Sequence, residues 1–160
     1  MLEKKIDVIP IINEKKELVD YLTWFSLNKE PKIKKTLENI PIVIMAGGKG
    51  TRLEPFTQIL PKPLIPVHEK PIIIHIIERF TALGSSDFFI TVNYKSSILK
   101  AYFKDLKPDY NIHFVDESKP LGTAGSLYYL KRSIDKPFFV TNCDIIVKAD
   151  YSSFYNFHID

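Results

Sequence analysis

One stretch constrains this chain more than any other: Ile42-Val43-Ile44-Met45-Ala46-Gly47-Gly48-Lys49-Gly50-Thr51-Arg52-Leu53. A run of apolar residues without polar interruption suits a strand in a parallel sheet covered on both faces. The run stops at a glycine-dense turn. Glycine adopts positive φ at little cost and lets backbone N–H groups come close to an anion. Thr51 adds a hydroxyl donor, and Arg52 adds a fixed positive charge. Ten positions later Lys62 stands between two prolines in Leu60-Pro61-Lys62-Pro63-Leu64. A triphosphate, or its pentavalent transition state, needs cations of this kind.

Neither common glycine signature is present. A P-loop requires G-x-x-x-x-G-K-[ST], and no such spacing follows Gly47. A dinucleotide fingerprint requires G-x-G-x-x-G, and Gly48-Lys49-Gly50-Thr51-Arg52-Leu53 fails at its last position. A pair of glycines alone would mark only a tight surface turn. Arg52, Lys62 and the flanking prolines make the turn a candidate anion site.

The rest of the composition narrows the function classes. A net charge of +3, without a block of Lys and Arg, argues against nucleic acid as the partner. The single cysteine, Cys143, rules out an intrachain disulfide and fits a reducing compartment. No apolar run approaches the roughly 20 residues of a membrane span, and residues 1–7 lack the apolar core of a signal peptide. The expectation is a cytoplasmic protein without a membrane partner. The length of 160 residues suits one domain with a small appendage. The abrupt ends suggest a fragment.

Along the chain, Ile6 to Ile12, a polar turn, and Leu18 to Leu22 read as a β-hairpin. Thr23 is placed to cap a short helix through Trp24 and Phe25. Residues 29–40 are rich in Lys and Glu, with Pro31, and read as a linker or a solvated short helix. The main domain is expected from residue 41 to 160. After the glycine loop, Thr57 to Leu60 reads as a turn and Pro61-Lys62-Pro63 as extended. Pro66 and Pro71 bracket a turn. Pro71 opens an apolar helix over Ile72 to Leu83, which Gly84 ends, and His75 within it is assigned to packing.

Further strands are expected at Asp87 to Val92, Asn111 to Val115 and Pro137 to Thr141, with Ile145 to Val147 as a short continuation. Helices are expected from Ser96 or Ser97 to Phe103, and from Thr123 to Arg132. Strands alternating with helices imply an α/β fold, a doubly wound, mostly parallel Rossmann-like sheet. Right-handed crossovers put the loops after the strands on one edge, where open α/β sheets bind ligands. The glycine loop, the Glu117–Gly122 loop and Asp144 all belong to that edge. A carboxylate ending an apolar strand can hold Mg²⁺, which takes oxygen ligands and substrate phosphates.

The motif resembles the signature of the sugar-1-phosphate nucleotidyltransferases, A-G-G-x-G-T-R-L followed by P-K-P-L, here Ala46 to Leu53 and Pro61 to Leu64. Asn142-Cys143-Asp144 is similar to that family's Asn-Gly-Asp, with cysteine replacing glycine. Glu117-Ser118-Lys119-Pro120-Leu121-Gly122-Thr123 resembles its base-recognition segment. The N-terminal pattern, I-P-I-I, a polar turn, then L-V-x-x-L-T, is similar to the tail of a CBS domain over residues 1–28. A generic hairpin is the alternative there.

The resemblance implies the nucleotide-diphospho-sugar transferase fold, truncated. It also implies transfer of a nucleotidyl group from an NTP to a sugar 1-phosphate, giving an NDP-sugar and pyrophosphate for glycan or surface-polysaccharide precursors. Arg52 and Lys62 are the implied catalytic residues. Ala46, Gly47, Gly48, Gly50, Thr51, Glu117, Gly122 and Thr123 are the implied nucleotide contacts, and Asp144 the Mg²⁺ ligand. A carboxylate only accepts hydrogen bonds, and guanine presents two adjacent donors, N1–H and the N2 amino group. Glu117 therefore favours GTP, with a thymidylyl- or uridylyltransferase as the alternative. The family's sugar-contacting segments and a second metal carboxylate lie beyond Asp160. A non-catalytic nucleotide-sensing fragment is the competing reading, and a homo-oligomer stays open.

Overall fold

The computed structural model describes residues 8–23, 35–119, 121–122 and 124–160. The chain forms two compact units, Met1–Ile33 and Lys34–Asp160. The helix expected after Thr23 and residues 29–34 of the expected linker lie outside the described residues.

In the first unit, β1 (Val8–Ile12) pairs antiparallel with β2 (Leu18–Thr23), with an irregularity between Ile11 and Ile12. Asn13 makes the turn. Its side-chain carbonyl accepts from the amides of Lys15 (2.9 Å) and Glu17 (3.0 Å), an Asx-type closure that lets Lys16 take φ 63°. The described strand residues are exposed on both faces.

The second unit holds a four-stranded parallel sheet in the order Asn111–Asp116, Asp87–Val92, Ile42–Met45, Phe139–Asn142. Its strands are β3 (Ile42–Met45), β6 (Asp87–Val92), β7 (Asn111–Asp116) and β8 (Phe139–Asn142). β3 pairs on both sides, Ile44 with Ile90 and with Thr141, and Ile42, Val43 and Ile44 are each fully buried, so both of its faces are covered and its run is apolar throughout. The turn expected between Pro66 and Pro71 is formed by His68 and Glu69, flanked by a small antiparallel ladder of β4 (Pro66–Val67) with β5 (Lys70–Pro71).

Helix α1 (Ile72–Ala82) buries Ile73, Ile76, Ile77 and Phe80 in the core with Ile42, Ile44 and Phe88. These positions recur every three to four residues, one face of a helix. Gly84, at φ 100°, closes the C-terminus as expected. His75 packs as expected, its Nε2 bonding the Val67 carbonyl at 2.8 Å. Helix α2 (Ser96–Leu106) adds Leu99 and Phe103.

Several expectations fail for identifiable reasons. Lys62–Leu64 is a 3₁₀ helix, not extended; Pro61 is extended, and Pro63 supplies a φ that fits a first helical turn. Thr51–Leu53 and Phe56–Gln58 are 3₁₀ helices as well. Of the helix expected over residues 123–132, the described residues 124–132 hold no α-helix but a 3₁₀ helix over Gly125–Leu130, opened by glycine and serine, which are weak helix formers. The last strand is displaced two residues from its expected start, to Phe139. Ile145 to Val147 is not a strand: the Val147 carbonyl accepts from the Arg79 guanidinium rather than from a neighbouring strand. Helix α3 (Tyr151–Ile159) was not expected; Asp150 caps it, accepting from the Ser153 amide at 3.0 Å. Tyr151 packs on Phe80, with ring centroids 4.7 Å apart.

Residues 35–40 are not a solvated linker. Leu37 is 0% exposed and Ile40 is buried with it, and the Leu37 amide donates to the Leu83 carbonyl at 3.0 Å. Ser85 Oγ donates to the Leu37 carbonyl. This segment therefore seals the C-terminal end of α1. Leu37→Ala is expected to destabilise the protein by about 2–5 kcal/mol in urea denaturation, the range for a truncated core leucine. A linker leucine would change stability by no more than about 0.5 kcal/mol.

Candidate active site

Parallel strands deliver their C-terminal loops to one edge of the sheet. Three of those loops bound a single cleft of 410 Å³. From β3 come Gly47, Gly48, Gly50, Thr51 and Arg52; from the segment beyond comes Lys62. The loop after β7 supplies Glu117 and Gly122, and the turn after β8 supplies Asp144. Thus nearly all the residues singled out from the sequence meet in one place, although they span more than ninety positions. Thr123 lies outside the described residues. Ala46 departs from expectation: it is buried, does not border the cleft, and its amide is committed to the Thr91 carbonyl at 3.0 Å.

The glycines are needed for two different reasons. At Gly47 a Cβ would lie 2.7 Å from Glu117 Oε1, so the carboxylate seats directly against the loop backbone. At Gly50, φ is 67° and a Cβ would lie 2.9 Å from Thr57 Cγ2 and 3.1 Å from Lys62 Cβ. Both are tight because protein occupies the space. At Gly48 and Gly122 no atom of the described residues, chain neighbours aside, lies within 4 Å of a would-be Cβ, and Gly122 takes a φ of 78° that favours glycine. There the glycine leaves backbone bare toward open space, the arrangement a bound anion or a flat ring requires.

The charges are arranged unequally. Lys62 Nζ lies 2.5 Å from Asp144 Oδ2, with side-chain exposures of 22% and 36%. The lysine stem is held by contact with Gly50, and Asp144 follows a cysteine whose side chain is buried in the core. Burial pushes the Cys143 thiol up to about 12, Asp144 adding to the effect and Lys62 opposing it. The thiol therefore stays neutral and uninvolved at neutral pH. The Cys143 amide donates to the Met45 carbonyl at 3.2 Å, so the turn is tied back to β3 despite the missing glycine. Arg52 is exposed and has no ion-pair partner among the described residues.

Two contributors were not legible in the sequence. Thr57, read as part of a turn, is 2% exposed, and its hydroxyl donates to the Gly50 carbonyl at 3.1 Å. Ser126 borders the cleft with a buried hydroxyl that has no partner among the described residues. Nothing in the local pattern of either residue signals its position. As for a metal, no group of three or more His, Cys, Asp or Glu that could hold one exists among the described residues. Asp144 alone is a hard oxygen ligand, which suits Mg²⁺ where substrate phosphates supply further oxygens.

The comparisons with known proteins agree on the family. The nucleotidyl transferase family model matches residues 42–160. The chain is 41% identical over 121 residues to a mannose-1-phosphate guanyltransferase of Hypocrea jecorina, covering 72% of this chain and 33% of that protein. It is 40% identical over 121 residues to the mannose-1-phosphate guanyltransferase of Schizosaccharomyces pombe, with the same coverage. The chain thus spans about a third of the length of the curated relatives it matches. Among solved structures, HddC from Yersinia pseudotuberculosis, in complex with GMP-PN, aligns with a TM-score of 0.66 at 30% identity, covering 76% of this chain and 55% of that one. A putative glucose-1-phosphate thymidylyltransferase from Bacillus anthracis has the same TM-score at 21% identity, covering 75% of this chain and 50% of that one, a likeness of fold alone. The match over residues 42–160, on a parallel sheet whose glycine loop faces Lys62 and Asp144, shows that the chain belongs to the nucleotidyl transferase family.

Proposed function

We propose that this chain forms the nucleotide-binding part of a sugar-1-phosphate nucleotidyltransferase, with GTP as the favoured nucleotide. One observation carries the reading: Lys62 and Asp144, from separate loops, meet at 2.5 Å across a cleft floored by the glycine loop. A site that must hold two phosphate groups and balance their charge needs that combination. The guanyltransferase relatives and the GMP-PN-bound neighbour support the choice of base.

In the reaction, an oxygen of the sugar 1-phosphate attacks the α-phosphorus of the NTP. The bond between the α-phosphorus and the bridging oxygen breaks, and its electron pair leaves with pyrophosphate. Gly48 and Gly50 offer backbone N–H groups to the phosphates, and Thr51 offers its hydroxyl. Arg52 neutralises charge developing toward the leaving group. Lys62 exchanges Asp144 for phosphoryl oxygens and holds the two reactants in line. Asp144 would hold Mg²⁺, which supplies charge neutralisation at the phosphates when bound. Glu117 accepts from the N1–H and N2 amino donors of guanine, and Gly122 leaves room for the base plane.

Two measurements test the reading. In the full-length protein, Arg52→Ala and Lys62→Ala should each lower the rate of pyrophosphate release by on the order of 10²-fold, as when a positioned charge is lost from a transition state. Near-wild-type rates in both would remove them from the chemistry, and absence of any pyrophosphate release with a panel of sugar 1-phosphates would favour a sensing role. Titration of this chain with GTP, dTTP, UTP and CTP should give tightest binding for GTP. A pyrimidine nucleotide binding tightest would refute the guanine assignment.

A further inference from the structure

Strand β6 ends at Val92, and the three residues after it reach both walls of the cleft without bordering it. Asn93 Nδ2 donates to the Glu117 carbonyl at 2.7 Å, and the Glu117 amide donates to the Val92 carbonyl at 2.9 Å. Both backbone polar groups of Glu117 are thereby fixed to the end of β6. Tyr94 Oη donates to the Thr57 carbonyl at 3.4 Å. Lys95 Nζ donates to the carbonyls of Gln58 (2.6 Å) and Ile59 (3.2 Å), the open end of the Phe56–Gln58 3₁₀ helix. Cations bind favourably at such carbonyl ends.

That short helix is the back of the glycine loop. Thr57 hydroxyl holds the Gly50 carbonyl at 3.1 Å, and Thr57 Cγ2 and Lys62 Cβ both press on the bare face of Gly50. Lys95 also sits at φ 52°, a conformation uncommon for a residue with a Cβ. It stands at the boundary where the chain turns into α2.

We propose that Asn93-Tyr94-Lys95 is a positioning brace that sets the two walls of the nucleotide cleft separately. Asn93 places the base wall through Glu117, and Tyr94 with Lys95 places the phosphate wall through Thr57, Gly50 and Lys62. The inference rests on Glu117 reading the base and the glycine loop receiving the phosphates, as proposed above. None of the three residues touches substrate. Each acts through main-chain carbonyls of residues that do, or of their supports.

The test is calorimetric binding of GTP, ITP and dTTP, and of inorganic tripolyphosphate, to wild type, Asn93→Ala, Lys95→Met and Lys95→Arg. Asn93→Ala should compress the wild-type spread between best and worst base by about tenfold, the scale of one lost base hydrogen bond, and leave tripolyphosphate affinity alone. Lys95→Met should weaken tripolyphosphate by about fivefold, within the range for a displaced phosphate contact, and leave the order and spread of the bases intact. Lys95→Arg, which keeps the donors, should restore it. Either variant shifting both readouts, or neither shifting its own, overturns the brace. Should a variant melt early, Thr57→Val removes the hydroxyl on Gly50 at nearly constant volume, and it must shift tripolyphosphate binding alone. A wild type that prefers a pyrimidine refutes the guanine reading while leaving the brace to be judged on that preference. A wild type without base preference, or without tripolyphosphate binding, overturns the corresponding half.

Discussion

The contact between Lys62 and Asp144 is the interaction around which the rest of the second unit is arranged. Each partner comes from a loop that needs a particular strand under it. Asp144 depends on β8 pairing in register with β3, Met45 opposite Asn142, and on the Cys143 amide bonding the Met45 carbonyl. Lys62 depends on the 3₁₀ turn that Pro63 favours and on the bare Cα of Gly50, against which its stem lies. A pair about a third exposed contributes little to stability, since water screens it and long side chains lose entropy in holding it. Its weakness is useful. Partners held by a strong buried pair would resist exchange, because a buried charge left alone is costly. Lys62 and Asp144 can part at small cost, and their pairing balances charge within the cleft.

Parallel pairing is what makes one cleft out of distant segments. In an antiparallel sheet successive loops alternate between edges. Here β3, β6, β7 and β8 run the same way, so every loop after a strand arrives at the same edge. The core explains why that edge is rigid enough to use. Ile42, Ile44 and Phe88 lock the strands against Ile73, Ile77 and Phe80 of α1, and Leu37 closes the cluster from outside the expected domain boundary. The loops then need only short tethers. Asn93, Tyr94 and Lys95 supply them as side-chain bonds to main-chain carbonyls, which fix position without adding bulk to the cleft.

The sheet and the contents of the site were largely legible in the sequence, because both rest on local patterns. The unbroken apolar run of β3, the periodic apolar face of α1 and the stop at Gly84 each follow from residues within a few positions. So does the meeting of Gly48, Arg52, Lys62 and Asp144, once the strands are parallel. What escaped depends on contacts across the chain. Ile145, Ile146 and Val147 have strand-like side chains, but a strand exists only where a neighbour offers its ladder, and Arg79 takes the Val147 carbonyl instead. Tyr151–Ile159 carries aromatic and polar residues with little helical periodicity, and its helix depends on the Asp150 cap and on Tyr151 against Phe80. Leu37 looked solvated because its neighbours are charged. Ala46 belongs to the motif yet serves the sheet, its amide completing the ladder to Thr91.

Cys143 stands where the family pattern has glycine, and the geometry of the turn accommodates it. A glycine at that position would leave the turn free to take many conformations. A cysteine instead directs a small apolar side chain into the core cluster, where burial keeps its thiol protonated. The turn thereby gains an anchor in the core, and the next residue, Asp144, is still presented to Lys62. The constraint at this place is therefore on the direction in which the backbone hands over the carboxylate, and a buried small side chain satisfies it as well as a missing one. The same logic separates Gly47 and Gly50, which protein atoms press upon, from Gly48 and Gly122, which face open space. Gly122 is still held to glycine by its φ of 78°, so Gly48 is the one of the four whose missing side chain neither packing nor backbone conformation explains.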